Sequence, residues 1–246
     1  AARGHKVTIY EAGAQLGGAT LAANVPDYKA ASRRLLKWFE HELQKTGVEV
    51  KLNCSITPEQ AAALDADVLV VSTGAKAKIP PIPGVHGANV MTAVDVLLKK
   101  APVGQNVVVI GGGQVGCEVA YELLRDGKKV SVVECLDGLV SGGTEAISAA
   151  VVLMLQDLLN YYKAEIHVST SVKEIREHTV VIESNGTRSE LPADTVVLAV
   201  GYAANDALYT ALKDCGKELY LIGDARKSPG NILHAVADGN KVGRKI

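Results

Sequence analysis

The chain has 246 residues, 48% hydrophobic and 4% aromatic, with a formal net charge of −1, room enough for two domains of ordinary size. No basic tract and no aromatic–basic interleaving points to nucleic acid, and no apolar run reaches the ~20 residues that span a bilayer. Cys54, Cys117, Cys135 and Cys215 have neither C-x-x-C nor ligand-like spacing and the six His are scattered, so the expectation is a cytoplasmic protein with reduced thiols, no signal peptide and no metal.

Residues 1–6 read as the end of a helix and its turn, followed by a strand over Val7–Tyr10 that closes in Glu11. This copies the second half of a unit found complete further on, so the chain is expected to begin inside a dinucleotide-binding unit, without its glycine loop. An ordinary N-terminal edge strand is the alternative. Gly17 and Gly18 lie in the following loop. Apolar spacing at Ala31, Leu35, Leu36, Phe39 and Leu43 predicts a helix over Tyr28–Thr46, ended by Gly47. A strand over Val48–Leu52 follows. Thr57-Pro58-Glu59-Gln60 is a helix-start signature, with Thr as N-cap and Gln three positions on. Val68–Ser72 is a buried strand leading into Thr73-Gly74. Pro80, Pro81 and Pro83 mark residues 79–104 as a connector, with a short helix over Asp95–Lys100.

Asn106–Glu134 carries the chemistry. Asn106–Ile110 is a β-branched run suited to a buried parallel strand. Gly111, Gly113 and Gly116 have G-x-G-x-x-G spacing and open a helix that begins at Gln114 and Val115 and runs to a C-cap near Gly127. A second strand, Val130–Val133, ends in Glu134. Gly111 serves a tight turn, Gly113 a close approach of backbone to pyrophosphate, and Gly116 close helix–strand packing. The phosphates take the helix N-terminus. A carboxylate about 20 residues on accepts the adenosine ribose hydroxyls and repels a 2′-phosphate, favouring NAD(H). A glycine turn that merely joins strand to helix is the competing explanation. Cys117 reads as a small buried thiol.

Beyond Glu134 comes a loop with Gly138, Gly142 and Gly143, then a long helix over Thr144–Lys163 and a strand over Glu165–Ser169. Val172–Glu177, Val180–Ser184 and Arg188–Leu191 form a meander with Asn185-Gly186 as its tight turn. Thr195–Val200 is a strand ending at Gly201, and Leu219–Ile222 one ending at Gly223-Asp224. The last helix spans Asn231–Lys245, where Ala235, Gly239 and Gly243 share a face and predict tight packing.

The order of strand-Glu11, Ser72-Thr73-Gly74, the glycine turn, Ala199-Val200-Gly201 and Gly223-Asp224 resembles the flavoproteins with two dinucleotide-binding domains. With Ile79–Gly84, Asp95-Val96-Leu97 and Lys100–Gly104 it is similar to the C-terminal part of the NADH:flavin oxidoreductases, among them 2,4-dienoyl-CoA and 2-enoate reductases. The resemblance covers nearly the whole chain. It implies an α/β fold of two three-layer Rossmann-like domains, with the NAD(H) domain, 105–202, inserted into an FAD domain formed by 1–78 and 203–246. Glu11 would hold the FAD ribose, Gly17 and Gly18 would pass close to the cofactor, and Thr73 and Gly74 would border its crevice. Asp224 would take a ribityl hydroxyl, or else simply end a strand. Gly111, Gly113, Gln114, Val115, Gly116 and Glu134 would hold NADH, with Gly201 at a strand end nearby, and Glu118 would face either the nicotinamide side or solvent.

The implied activity is hydride transfer from NADH to FAD, feeding an FMN barrel and a 4Fe-4S cluster that reduce activated C=C bonds. Neither barrel nor cluster lies in this sequence, and FAD is expected to bind poorly without its glycine loop. No side chain is assigned as acid, base or nucleophile. The disulfide-reductase branch of the same fold needs a local cysteine pair that this sequence lacks. A non-catalytic dinucleotide-binding module is the alternative function. The expected partners are the cofactors and an FMN-barrel domain or subunit, and a homo-oligomer is compatible with the pattern.

Overall fold

A computed structural model describes residues 1–141, 147–228 and 230–246. The chain divides into two compact units: Ala1–Ala75 with Ala204–Ile246, and Lys76–Ala203. Within the described residues no helix is long and apolar enough to cross a membrane.

Unit one opens with β1 (Thr8–Tyr10), α1 (Ala19–Ala23), α2 (Ala30–Lys45), β2 (Glu49–Lys51), α3 (Pro58–Ala62) and β3 (Val68–Val71). β1 and β2 pair in parallel, Thr8 opposite Glu49. The capping box expected at α3 forms: Thr57 Oγ1 accepts the Gln60 N–H at 3.2 Å and Gln60 Oε1 accepts the Thr57 N–H at 2.9 Å. α2 begins after a short 3-10 turn over Asp27–Lys29 and buries no side chain completely. β4 (Ala75–Ala77) carries the chain out of the unit.

Unit two contains β5 (Val90–Thr92), α4 (Ala93–Leu97), β6 (Asn106–Ile110), α5 (Gln114–Arg125), β7 (Lys129–Val133), α6 (Ala149–Tyr161), β8 (Glu165–His167), β9 (Thr170–Ile175), β10 (Thr179–Ser184), β11 (Thr187–Pro192) and β12 (Thr195–Leu198). Five strands make one parallel sheet in the order β5-β12-β6-β7-β8. The chain leaves β6 toward β7 on one side, while β12 returns on the other. The carboxyl ends of β6 and β12 therefore flank a topological switch point, where open α/β sheets hold ligands. Residues 79–104, expected as a connector, supply β5 and α4 to this unit instead, since Val90, Val96 and Leu97 pack well there.

The β-branched runs account for the core. Val108, Ile110, Val133, Val196 and Leu198 form one cluster with Ile175, Val180, Ile182 and Leu191 of the three-stranded antiparallel meander β9–β11. Side chains alternate along a strand, so Val107, Val109, Val132 and Val197, all 0–1% exposed, occupy the opposite face, covered by α4 and α5. Meander, sheet and helices are three layers. Asn185 and Gly186 both have positive φ, +50° and +76°, the signature of a type I′ turn between the paired Ser184 and Thr187. Gly127 lies one residue past the Asp126 C-cap of α5, at φ +77°. α6 is described from Ala149; Gly142, Gly143 and the expected helix start at Thr144 lie outside the described residues.

β13 (Tyr202–Ala204) returns the chain to unit one and pairs with β4. There α7 (Ala207–Ala211), β14 (Glu218–Leu221) and α8 (Ile232–Lys245) complete the fold. β14 pairs with β3 in parallel, over a small core of Ala61, Leu69, Val71 and Leu212. The prediction that α8 packs tightly through its small residues fails. No residue of α8 is buried, Leu233 is 77% exposed, and a Cβ on Gly239 or Gly243 would meet nothing within 4 Å.

Candidate functional site

The glycine turn after β6 has three different reasons for its glycines. Gly111 has φ +104°, and a Cβ there would lie 2.6 Å from the Ala199 carbonyl oxygen. A Cβ on Gly116 would lie 1.9 Å from the Gly111 carbonyl oxygen, so the helix can approach the strand only through glycine. Gly113 has an ordinary extended backbone, φ −69° and ψ −178°, and its Cβ would meet nothing. Among the described residues the space next to it is open. Gly113 is the N-cap of α5, with no side-chain cap, so the N–H groups of Gln114, Val115 and Gly116 form an open helix N-terminus.

Glu134 sits at the end of β7, 8% exposed. Its Oε2 accepts the Gly112 N–H at 2.6 Å, and its Oε1 accepts the Leu136 N–H at 2.8 Å and the Cys135 thiol at 3.2 Å. The sequence located this carboxylate but gave no sign that it grips the glycine turn. Nor did it reveal Leu139 and Val140, both buried, whose loop folds back until the Val140 N–H meets the Gly112 carbonyl at 2.8 Å. The one signal available was the apolar pair itself, standing between Gly138 and Ser141 in the loop.

Cys117 is fully buried, as expected, and its thiol donates to the Gly112 carbonyl at 3.3 Å. Burial, then the neighbouring Glu118 and Glu134 charges, push it up to about 12. Glu118 is 2% exposed, which removes the solvated-face alternative. Its Oε1 accepts from Gln114 Nε2 at 2.9 Å. Burial, then the Glu118 charge, raises the Tyr202 hydroxyl above its ordinary range. Gly201, at φ +93°, accepts the Lys78 N–H through its carbonyl at 3.0 Å.

The other predicted residues lie in unit one. Glu11 ends β1, and its Oε1 accepts the Gly13 N–H at 2.6 Å. Gly17 and Gly18 have φ +126° and +49° and lead into α1. Thr73 Oγ1 donates to the Asn205 carbonyl at 2.5 Å, and the Gly74 carbonyl accepts the Asn205 N–H at 3.0 Å, which ties the ends of β3 and β13 together. Gly223 has φ +61° and opens a 3-10 turn containing Asp224, which burial raises above the usual carboxylate range. That turn is fixed by a residue the sequence did not single out. Asp238 of α8 accepts from the Gly223 N–H at 3.0 Å and, at 2.9 Å each, from two nitrogens of Arg226.

The family model described as pyridine nucleotide-disulphide oxidoreductase matches residues 1–239. The chain belongs to this family. Membership implies FAD and NAD(P)H as cofactors. Cinnamate reductase of Clostridium sporogenes is 35% identical over 246 residues, all of this chain and 36% of the relative. An NADH oxidase of Thermoanaerobacter brockii is 35% identical, again over the whole chain and 38% of its own length. Among solved structures, a 2-naphthoyl-CoA reductase complex superposes with TM-score 0.93 at 29% identity, covering 100% of this chain and 37% of that one. The 6-hydroxypseudooxynicotine amine oxidase of Pseudomonas geniculata gives 0.85 at 28%, covering 98% and 38%. The oxidoreductase domain thus spans somewhat over a third of these relatives, and it matches the C-terminal portion of the enoate and dienoyl-CoA reductase group. Its fold is the α/β, Rossmann-like one expected.

Proposed function

We propose that this domain takes NADH in unit two and FAD in unit one and passes hydride from the first to the second. The observation that carries the NADH part is the turn at Gly113: an open helix N-terminus, open space next to it among the described residues, and a buried carboxylate, Glu134, beside it. The first N–H groups of the helix, at Gln114, Val115 and Gly116, have no side-chain cap from Gly113 and suit a pyrophosphate, and the helix dipole adds to them. Glu134 Oε2, which accepts one N–H, keeps a second lone pair for a ribose hydroxyl, and the carboxylate's charge opposes a 2′-phosphate, so NADH is preferred over NADPH. In unit one, Glu11 would take the FAD ribose and Asp224 a ribityl hydroxyl, with Gly17, Gly18, Thr73, Gly74 and Gly223 providing close backbone approaches.

Bound FAD supplies the chemistry, accepting a hydride and releasing its electrons onward. The protein's part is binding, orientation and electrostatics, and no side chain of this chain is needed as acid, base or nucleophile. In the longer protein we assign the onward path to a 4Fe-4S cluster and an FMN barrel that reduces an activated C=C bond, a reading supported by the similarity to cinnamate reductase and 2-naphthoyl-CoA reductase. A cytoplasmic location fits this chemistry.

The test is calorimetric titration of NADH and NADPH at moderate salt. NADH should bind the more tightly. Equal or tighter NADPH binding would sink the assignment of Glu134, and no binding of either would sink that of the turn.

A further inference from the structure

The Gly112 peptide is held from both sides. Its N–H donates to Glu134, and its carbonyl accepts the Val140 N–H and the Cys117 thiol. A Cβ on Gly112 would lie 2.5 Å from Leu139 Cδ2 and 3.0 Å from Glu134 Cβ, so a side chain there would have to displace Leu139 and press on Glu134. Val140 reaches its position with φ +57°, a left-handed conformation that a β-branched residue rarely adopts. The segment after β7 is bent against its own preference to meet this one peptide. The other oxygen of Glu134 accepts the Leu136 N–H, so a single carboxylate joins the glycine turn to that segment.

We propose that Glu134 is a positioning residue for the pyrophosphate cradle, in addition to any contact with the ribose. Resting on the assignment of unit two as the nucleotide site, this gives the carboxylate a task that precedes ligand. Charge-assisted hydrogen bonds to backbone N–H groups are about twice as strong as neutral ones. Fixing the Gly112 peptide fixes the N-cap at Gly113, and with it the direction of the first N–H groups of α5. A cradle ordered beforehand binds more tightly, because ligand binding need not order it. Removing the carboxylate should therefore weaken ligands that have no ribose hydroxyl to offer.

Two nucleotides separate the roles: ADP, and 2′,3′-dideoxy-ADP, which keeps adenine and pyrophosphate but lacks both hydroxyls. Each is titrated by calorimetry against the wild-type chain and Glu134→Gln, at a temperature where circular dichroism shows the variant folded. Gln keeps one acceptor and turns an N–H donor toward one of the two backbone N–H groups. The expected result is at least fivefold weaker binding of both nucleotides. Weakened ADP with unchanged or tighter dideoxy-ADP would overturn the proposal, leaving Glu134 a reader of ribose only. A second measurement needs no variant and no ligand. In the wild-type chain the Gly112 amide should be protected from hydrogen exchange and shifted strongly downfield, and a rapidly exchanging Gly112 amide overturns the clamp. Failure of the underlying site assignment looks different: the wild-type chain then binds neither nucleotide while Gly112 stays protected.

Discussion

Glu11 and Glu134 end matching strands in the two units, and their surroundings differ. Each accepts the N–H two residues ahead, Gly13 for one and Leu136 for the other. That contact is local, made as the chain turns away from the strand end. Glu134 takes a second N–H, from Gly112, which arrives from the neighbouring strand's turn. It can do so because β6 and β7 pair over five residues, from Asn106↔Lys129 to Ile110↔Val133. In unit one β1 pairs only with β2, and β3 only with β14, among the described residues. Glu134 is accordingly buried while Glu11 is half-exposed. An acid at a strand end is a local feature, whereas the grip of Glu134 on the Gly112 turn is made by two paired strands.

The comparison breaks most visibly at Gly116. Gly116→Val would drive a branched side chain into the Gly111 carbonyl, already 1.9 Å from a simple Cβ. The expected cost is on the order of 5 kcal/mol, and the thermal transition of unit two should disappear while that of unit one stays. Next in size is a pH effect. The Cys117 thiol is held at about 12 against an ordinary value of 9.0. Unfolded thiol ionises above pH ~9 while folded thiol stays neutral, so its contribution is complete below that pH and is lost as pH climbs toward 12. Stability should fall by up to ~1.4 kcal/mol per pH unit in that window, about 4 kcal/mol in all. Urea melts at stepped pH should show the slope, and Cys117→Ala should flatten it.

Gly113→Val sharpens the contrast between the glycines. Its backbone is ordinary and its Cβ unopposed, so the variant should fold, with a melting temperature lowered by only a few degrees because valine is the poorer N-cap. NADH affinity should nevertheless drop about 100-fold, ~2.7 kcal/mol by calorimetry. A folded variant with full affinity would place the dinucleotide elsewhere. Glu134→Ala should cost NADH roughly 1–3 kcal/mol, the scale for unmade hydrogen bonds to a charged group. The smallest effect belongs to unit one. Gly239→Ala, in open surroundings on exposed α8, should raise stability by ~0.5–1 kcal/mol through helix propensity. A loss of stability in a thermal melt would mean that α8 is covered.

Periodicity and β-branching made most of the elements legible. β6 appears with its predicted bounds, the meander with its predicted turn, and the capping box of α3 residue for residue. Those features are short-range, and so are written in adjacent residues. α8 shows the limit. Small residues at helical spacing say that close approach is possible, not that a partner approaches, and here none of its side chains is buried. Residues 79–104 show a related limit: prolines mark the breaks in a chain but say nothing of which sheet Val90–Thr92 will join. In the site, the glycines and Glu134 announced themselves by spacing. Val140 and Asp238 did not, because each acts by reaching back across the fold to one backbone group, and no local pattern records that.

The type I′ turn at Asn185-Gly186 has a practical consequence. Both residues are exposed and stand beyond the last paired residues, Ser184 and Thr187, so the ladder does not depend on their side chains. Closing a longer loop there costs only slowly more with each added residue. A fluorophore on an engineered cysteine, or a short affinity tag spliced between the two, would mark this unit and leave the ladder of the meander intact.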